Sequence, residues 1–287
     1  MSKDDTPGFI ASCAQFHVKR GDVDSNLASA EVQLRAAADD GAQLVVLPEM
    51  WTTSFVKEPT ADLLREAKAA EQTIVEVSGE LGLVVVGGGL EEEHGAFFNQ
   101  CMVVDSGRVL GSYRKIHLFS PNAEHRHLQP GATPLILDTR LGKLGVMICY
   151  DIRFPELVRY YFHMGVELLV VPAQWPEARA DHWRTLLKAR AIENQMFVLG
   201  CNRTGAEESL KNEETLVFPG DSRIVDPMGE VLADGRGEDE PIMAEIQLKK
   251  IRTIRRILPV HRDRQGQVYR ELWEAVWMDP EQAIRPR

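Results

Sequence analysis

Cys149 closes the apolar run Leu144-Gly145-Val146-Met147-Ile148, and Tyr150-Asp151-Ile152-Arg153-Phe154-Pro155 follows at once. The run reads as a buried strand, and Pro155 suits the first position of a helix. A thiol mounted at a strand-to-helix elbow stands at a sheet edge, close to backbone N–H groups. Such groups favour the thiolate and can hold an oxyanion. This setting predicts a nucleophile. The other cysteines, Cys13, Cys101 and Cys201, sit inside strand-like apolar runs and are expected in the core. They form no C-x-x-C pair, so neither structural zinc nor a disulfide framework is expected, and a reducing, cytoplasmic setting fits.

Three other places carry groups that could work with such a thiol. Glu49 directly follows the apolar run Leu44-Val45-Val46-Leu47 and Pro48, so its carboxylate falls at a sheet edge, where it suits general base and acid work. Lys115 lies in Tyr113-Arg114-Lys115-Ile116-His117, just past a strand; its ammonium could hold a thiolate or donate to an oxyanion. Glu124 opens the loop Glu124-His125-Arg126-His127 and could orient Lys115. The histidines of that loop lack any H-E-x-x-H or Cys/His ligand spacing, so no metal is expected. Taken singly, the ordinary alternatives are a surface glutamate at a strand end and a solvated lysine. Arg153, four residues past the thiol and read as the first turn of the helix, could pair with a carboxylate or serve a surface salt bridge. Trp175, at the end of an apolar run, could wall a pocket or simply pack.

Strands and helices must position these groups. Residues 9–18 read as a strand, followed by a helix capped near Asp24 or Ser25 and stopped by Gly41. Leu44–Leu47 is a buried strand, and 60–81 a helix closed by Gly82. Strands follow at Leu83–Val86, Gln100–Val104, Arg108–Tyr113 and Gly142–Cys149. The next elements are a helix at Arg153–Met164, a strand at Glu167–Val171 and a helix at Asp181–Gln195 capped by Asp181. Further strands fall at Phe197–Cys201, Arg223–Val225, Glu230–Ala233 and Ile242–Ile246. Many strands with only a few long helices imply two mixed sheets packed together and covered outside by helices. No linker or repeat divides residues 1–287, so one domain is expected.

The net charge of −10 argues against nucleic acid as the main partner. No apolar run approaches the ~20 residues of a membrane helix, and the polar start Met1-Ser2-Lys3-Asp4-Asp5 is not a signal peptide. From Lys249 to Arg264 the chain turns basic, which reads as a solvated segment or a tail docked on an acidic partner subunit rather than a nucleic-acid patch. Trp273 and Trp277 suggest that this tail, from about residue 249, packs on something, a second subunit among the options.

Together and in this order, LVVLPEM, YRKIHLF and VMICYDIRFPEL resemble the nitrilase superfamily of carbon–nitrogen hydrolases. The resemblance continues through residues 170–176, HWRTLLKARAIENQ and residues 220–229. It implies an α/β fold, a four-layer αββα sandwich, and a catalytic triad of Glu49, Lys115 and Cys149. Glu124 matches the family's second glutamate, and Tyr150 would lend its backbone N–H to the oxyanion. The segment CYDIRFPEL is similar to the omega-amidase branch, which implies hydrolysis of the terminal amide of 2-oxoglutaramate or 2-oxosuccinamate, with Arg153 and Trp175 contacting substrate. Carbamoyl compounds, deaminated glutathione and nitriles are the alternatives, and an inactive scaffold a further one. Tyr150-Asp151 stands where true nitrilases carry Trp-Glu. Gln174 stands where compared relatives often carry Asn. The family needs no cofactor, and its members commonly form homodimers with tails crossing the interface.

Overall fold

The computed structural model describes residues 8–212, 214–237 and 239–278. The chain runs β1 (Phe9–Ala14), α1 (Val23–Asp39), β2 (Ala42–Val46), α2 (Ala61–Leu81), β3 (Val84–Gly87), β4 (Leu90–Glu93), β5 (Ala96–Asp105) and β6 (Arg108–Arg114). It continues with β7 (Leu135–Thr139), β8 (Gly142–Val146), α3 (Pro155–His163), β9 (Leu168–Ala173), α4 (Ala180–Asn194), β10 (Phe197–Asn202), β11 (Thr204–Glu208) and β12 (Thr215–Val225). It ends with β13 (Val231–Arg236), β14 (Pro241–Ile246), α5 (Lys249–Ile257), α6 (Val260–Asp263) and α7 (Gly266–Met278).

Two mixed sheets of seven strands face each other. One is ordered β14-β1-β2-β3-β5-β4 with β6 on β5; the other β11-β12-β10-β9-β8-β7 with β13 on β12. Both are built alike. In each, three parallel strands form the centre (β1-β2-β3 and β8-β9-β10) and antiparallel strands flank them. Alternation along β2 and β3 explains the layering. Leu44, Val46, Val84 and Val86 point into the core shared by the two sheets, while Val45 and Val85 pack beneath α1 and α2 with Leu34 and Ile74. A parallel strand covered on both faces must be apolar on both, and these strands are. On the second sheet, Trp183 and Leu187 of α4 and Val158 and Tyr161 of α3 close the outer face. The result is the expected four-layer sandwich. Among the described residues no helix is long and apolar enough to cross a membrane.

Several local expectations shift. The cap of α1 is Asp22, whose carboxylate accepts from the Ser25 N–H at 3.1 Å, and not Asp24 or Ser25. β1 stops at Ala14 and β8 at Val146, so Cys149 stands three residues beyond its strand. The expected helix from Arg153 begins instead at Pro155; Cys149–Arg153 form a tight 3₁₀ turn before it. Asp181 is not the cap of α4 but lies in its first turn, paired with Arg184. Edge strands β4, β7 and β11 were hidden because charged or glycine-bearing edges blur the alternation. The basic segment from Lys249 is largely helix α5, which buries Ile251 and Ile254 against the body; Arg255 turns inward to the Val166 and Gln195 carbonyls, and Lys250 pairs with Asp226. Trp277's side chain lies outside the described residues. One glycine is dictated by a close approach: a Cβ on Gly88 would sit 2.3 Å from the Gln100 carbonyl, so only glycine lets the chain leave β3 against β5.

Half-buried Glu71 on α2 accepts from Gln100 Nε2 at 3.0 Å. Burial, with nearby Glu91 adding to it, pushes the Glu71 carboxyl up to about 7. A carboxyl raised above its unfolded value loses stability for the fold as pH rises between the two values. Glu71→Gln should therefore raise the melting temperature by several degrees at pH 8 and leave it nearly unchanged at pH 4.5. Thermal unfolding across that range checks it, and equal gains at both pH values would contradict it.

Candidate active site

The candidate side chains gather where strands of both sheets end. Glu49 follows β2, Gln174 follows β9 directly, and Cys149 sits past β8. These are the carboxyl ends of central parallel strands, the usual location of sites in such sheets. Lys115 follows β6 directly, and Asn99 projects from β5. Cys149 adopts a positive φ of 47°, an uncommon backbone state for a residue with a side chain. Asp151 holds that turn. Its carboxylate, fully buried, accepts from the Ile148 N–H at 3.0 Å, the Tyr113 hydroxyl at 2.7 Å and the His117 N–H at 2.8 Å. The turn that presents the thiol is thus tied to the strand end that presents Lys115.

Lys115 is buried between two carboxylates. Its Nζ lies 2.8 Å from Glu49 Oε1 and 2.9 Å from Glu124 Oε2. Asn99 Nδ2 donates to both acids, at 2.7 Å to Glu49 and 3.2 Å to Glu124. The Phe119 N–H donates to Glu124 at 2.6 Å, and the Gln174 N–H to the second oxygen of Glu49 at 2.8 Å. Every carboxylate oxygen of the trio therefore has a donor, as buried charge requires. Gln174 is also held from behind. Its side-chain amide donates to the Glu49 carbonyl at 2.9 Å and accepts from Arg203 at 3.0 Å and Ser54 at 3.1 Å. Its carbonyl lies 3.9 Å from the Cys149 sulfur. One residue therefore touches both the Glu49 carboxylate and the Cys149 thiol.

The charge state differs from the sequence expectation of a ready thiolate. Burial and the Glu49 carboxylate push the Cys149 thiol well above its ordinary range, outweighing Lys115 and the backbone, which pull it down. Burial alone would lower the Lys115 ammonium, but Glu124 and Glu49 hold it far above its usual value. The resting site thus holds a protonated thiol and a fixed ammonium.

These groups line a cavity of about 300 Å³. Of the residues expected from sequence, Glu49, Lys115, Glu124, Cys149, Tyr150, Arg153 and Trp175 all border it. Tyr150 packs edge-on against Phe119, with ring centroids 4.9 Å apart. Trp175 is almost wholly buried; it donates to the Arg179 carbonyl and supports Arg153, whose guanidinium lies 4.7 Å over its ring. Sequence reasoning missed the holding roles of Asn99, Asp151, Gln174 and Arg203, and it missed Arg179 on the cavity wall. Asn99 and Arg203 lie inside or beside apolar strands. A polar residue interrupting such a run was the available signal.

The carbon–nitrogen hydrolase family model matches residues 10–256. The chain is 36% identical to a 2-oxoglutaramate amidase of Bacillus subtilis, over 90% of this chain and 98% of that one. It is 33% identical to an omega-amidase of Danio rerio, over 91% and 96%. A carbon–nitrogen hydrolase from Helicobacter pylori superposes with a TM-score of 0.85 at 26% identity, covering 92% of this chain and 98% of that one. The chain belongs to the carbon–nitrogen hydrolases, and within them resembles the omega-amidases.

Two outcomes follow from the geometry. Alkylation of Cys149 by iodoacetamide should keep accelerating beyond pH 9, because the thiol is raised; a plateau near pH 7 would contradict this. Gln174→Ala should lower kcat by ~10- to 100-fold with KM changed little, since misplacing a reacting group by about 1 Å costs on that order. Steady-state amide hydrolysis reads the split, and a change confined to KM would assign Gln174 to substrate instead.

Proposed function

We propose that the chain is an omega-amidase-like enzyme, with Cys149 as nucleophile, Glu49 as proton shuttle and Lys115 as oxyanion partner. The observation that carries this reading is the convergence of these three side chains on one cavity whose outer wall holds Arg153. Glu49 takes the thiol proton as Cys149 sulfur bonds to the amide carbon. Lys115 Nζ and the Tyr150 N–H hold the oxyanion. Glu49 passes the proton to the leaving nitrogen, the carbon–nitrogen bond breaks and ammonia departs, leaving a thioester. Water then gives a proton to Glu49 and bonds to the thioester carbon; the carboxylic acid leaves, and the sulfur recovers its proton. Glu124 holds Lys115 in place throughout. The substrate in this reading is the terminal amide of a small carboxylate-bearing acid, 2-oxoglutaramate or 2-oxosuccinamate, and Arg153 takes the carboxylate while Trp175 supports it. Carbamoyl compounds, deaminated glutathione and nitriles are the other substrates to weigh.

Ammonia release should be found with 2-oxoglutaramate and 2-oxosuccinamate and fall by at least ~10⁴-fold in Cys149→Ala, because groups acting as a unit fail together. Release with accompanying carbon dioxide from a carbamoyl amino acid, or turnover confined to nitriles, would move the assignment to another branch.

The same reading makes the chain one domain that works as a homodimer in the cytoplasm. Its cysteines are all free thiols, which suits that compartment. Ile257, Leu258, Val268 and Leu272 leave an apolar stretch exposed along α5 to α7. The basic cations beside it complement the acidic surface of a chain with net charge −10, so a second copy is the fitting cover.

A further inference from the structure

Two guanidiniums, Arg153 and Arg179, stand on the wall of the cavity that holds Cys149. Each lies over an aromatic ring, Arg153 at 4.7 Å from the Trp175 centroid and Arg179 at 5.3 Å from that of Phe119. Stacking fixes each plane and leaves the N–H edges available for a ligand. The polar contact of Arg153 is to the His182 ring, at 3.1 Å. Among the described residues neither guanidinium forms an ion pair with an aspartate or glutamate, in contrast to Arg114, Arg184, Arg203 and Arg223, which all do.

The two cations also act on each other. Burial works most against the charge on Arg153; Tyr150 favours the charge and Arg179 opposes it. Two like charges are thus held within electrostatic range of one another and of the nucleophile and, among the described residues, neither is ion-paired to an acid. A ligand anion would complete the site. Among the described residues the cavity's other acids pair with neither arginine. Glu207 is bonded to Arg203, Arg20 and Ser54, and Glu214 is exposed on the loop leading into β12.

We propose that Arg179 joins Arg153 as a charge filter for the substrate's distal end. The pair binds a carboxylate and rejects a substrate whose adjacent carbon bears an ammonium. A 2-oxo group, an acceptor, fits the same donors, whereas the ammonium of an α-amino acid amide meets two guanidiniums. The site therefore takes amides of 2-oxo or unsubstituted dicarboxylic acids and refuses glutamine and asparagine. This rests on the amidase reading above and adds the residue that sets its selectivity.

The test is steady-state hydrolysis of 2-oxoglutaramate, the monoamide of glutaric acid, glutamine and butyramide by wild type, Arg179→Gln, Arg179→Lys and Arg179→Glu. In wild type, kcat/KM for glutamine should fall ~100-fold or more below that for the glutaric monoamide. Arg179→Gln should cut the preference for the glutaric monoamide over butyramide by ~10- to 100-fold, mainly through KM, the range expected for losing a charge-assisted contact. Arg179→Lys should recover part of it, and Arg179→Glu should narrow the gap between glutamine and the glutaric monoamide. A wild type that takes glutamine as readily as the glutaric monoamide, or an Arg179→Gln enzyme with wild-type preference, would overturn the filter and leave the amidase reading standing. Wild-type silence on all four would overturn the amidase reading, and the filter with it.

Discussion

A lysine ammonium buried between two carboxylates is the constraint around which the rest is arranged. Lys115, Glu49 and Glu124 are each almost wholly out of water. Removing charges from water costs several kcal/mol apiece, and only close pairing with full hydrogen bonding offsets that cost. The donors that complete the trio come from three separate places: Asn99 on β5, the Phe119 backbone and the Gln174 backbone after β9. The ends of both sheets must meet for all of them to arrive. The sandwich is therefore a requirement of the site as much as its scaffold.

Cys149 is held by similar means. Asp151 ties the turn at Cys149 to Tyr113 and His117, on either side of Lys115. Gln174 ties the Glu49 end of β2 to the sulfur, and buried Arg203 fixes Gln174 in turn. Such a web supports the left-handed backbone at Cys149, a conformation the surroundings must impose. It also keeps proton donor and acceptor adjacent, so that a thiol raised by burial has Glu49 at hand to take its proton.

Much of this was legible in the residues. The apolar runs before Glu49 and Cys149 located two strand ends, and Lys115 just past a third; strand ends are where side chains leave the core. Helix α2 was bounded closely because Thr60 caps it through its hydroxyl and Gly82 takes φ +64° at its end. Elements with weaker local signals were lost. β12 runs for 11 residues across Pro219 and Gly220, which read as a break, and β4 is mostly glutamates on an edge. Their strand character comes from the partner strand, which supplies the pairing that local propensity does not.

The sequence by itself determined which chemistry was present: a cysteine at an elbow, a lysine and two glutamates after apolar strands, and the layered fold those strands demand. These follow from local rules of periodicity, capping and burial, which act over a few residues. Only the tertiary structure decided which groups meet. Asn99 and Glu49 lie 50 positions apart, and Gln174 and Glu49 125 apart, yet they bond at 2.7 and 2.8 Å. The upward shift of the thiol was decided there too, since burial and Glu49 outweigh Lys115 and the Gln174 backbone. So was the pairing of Arg153 with Arg179, for charge and solvent exclusion depend on distances through space that no spacing along the chain encodes.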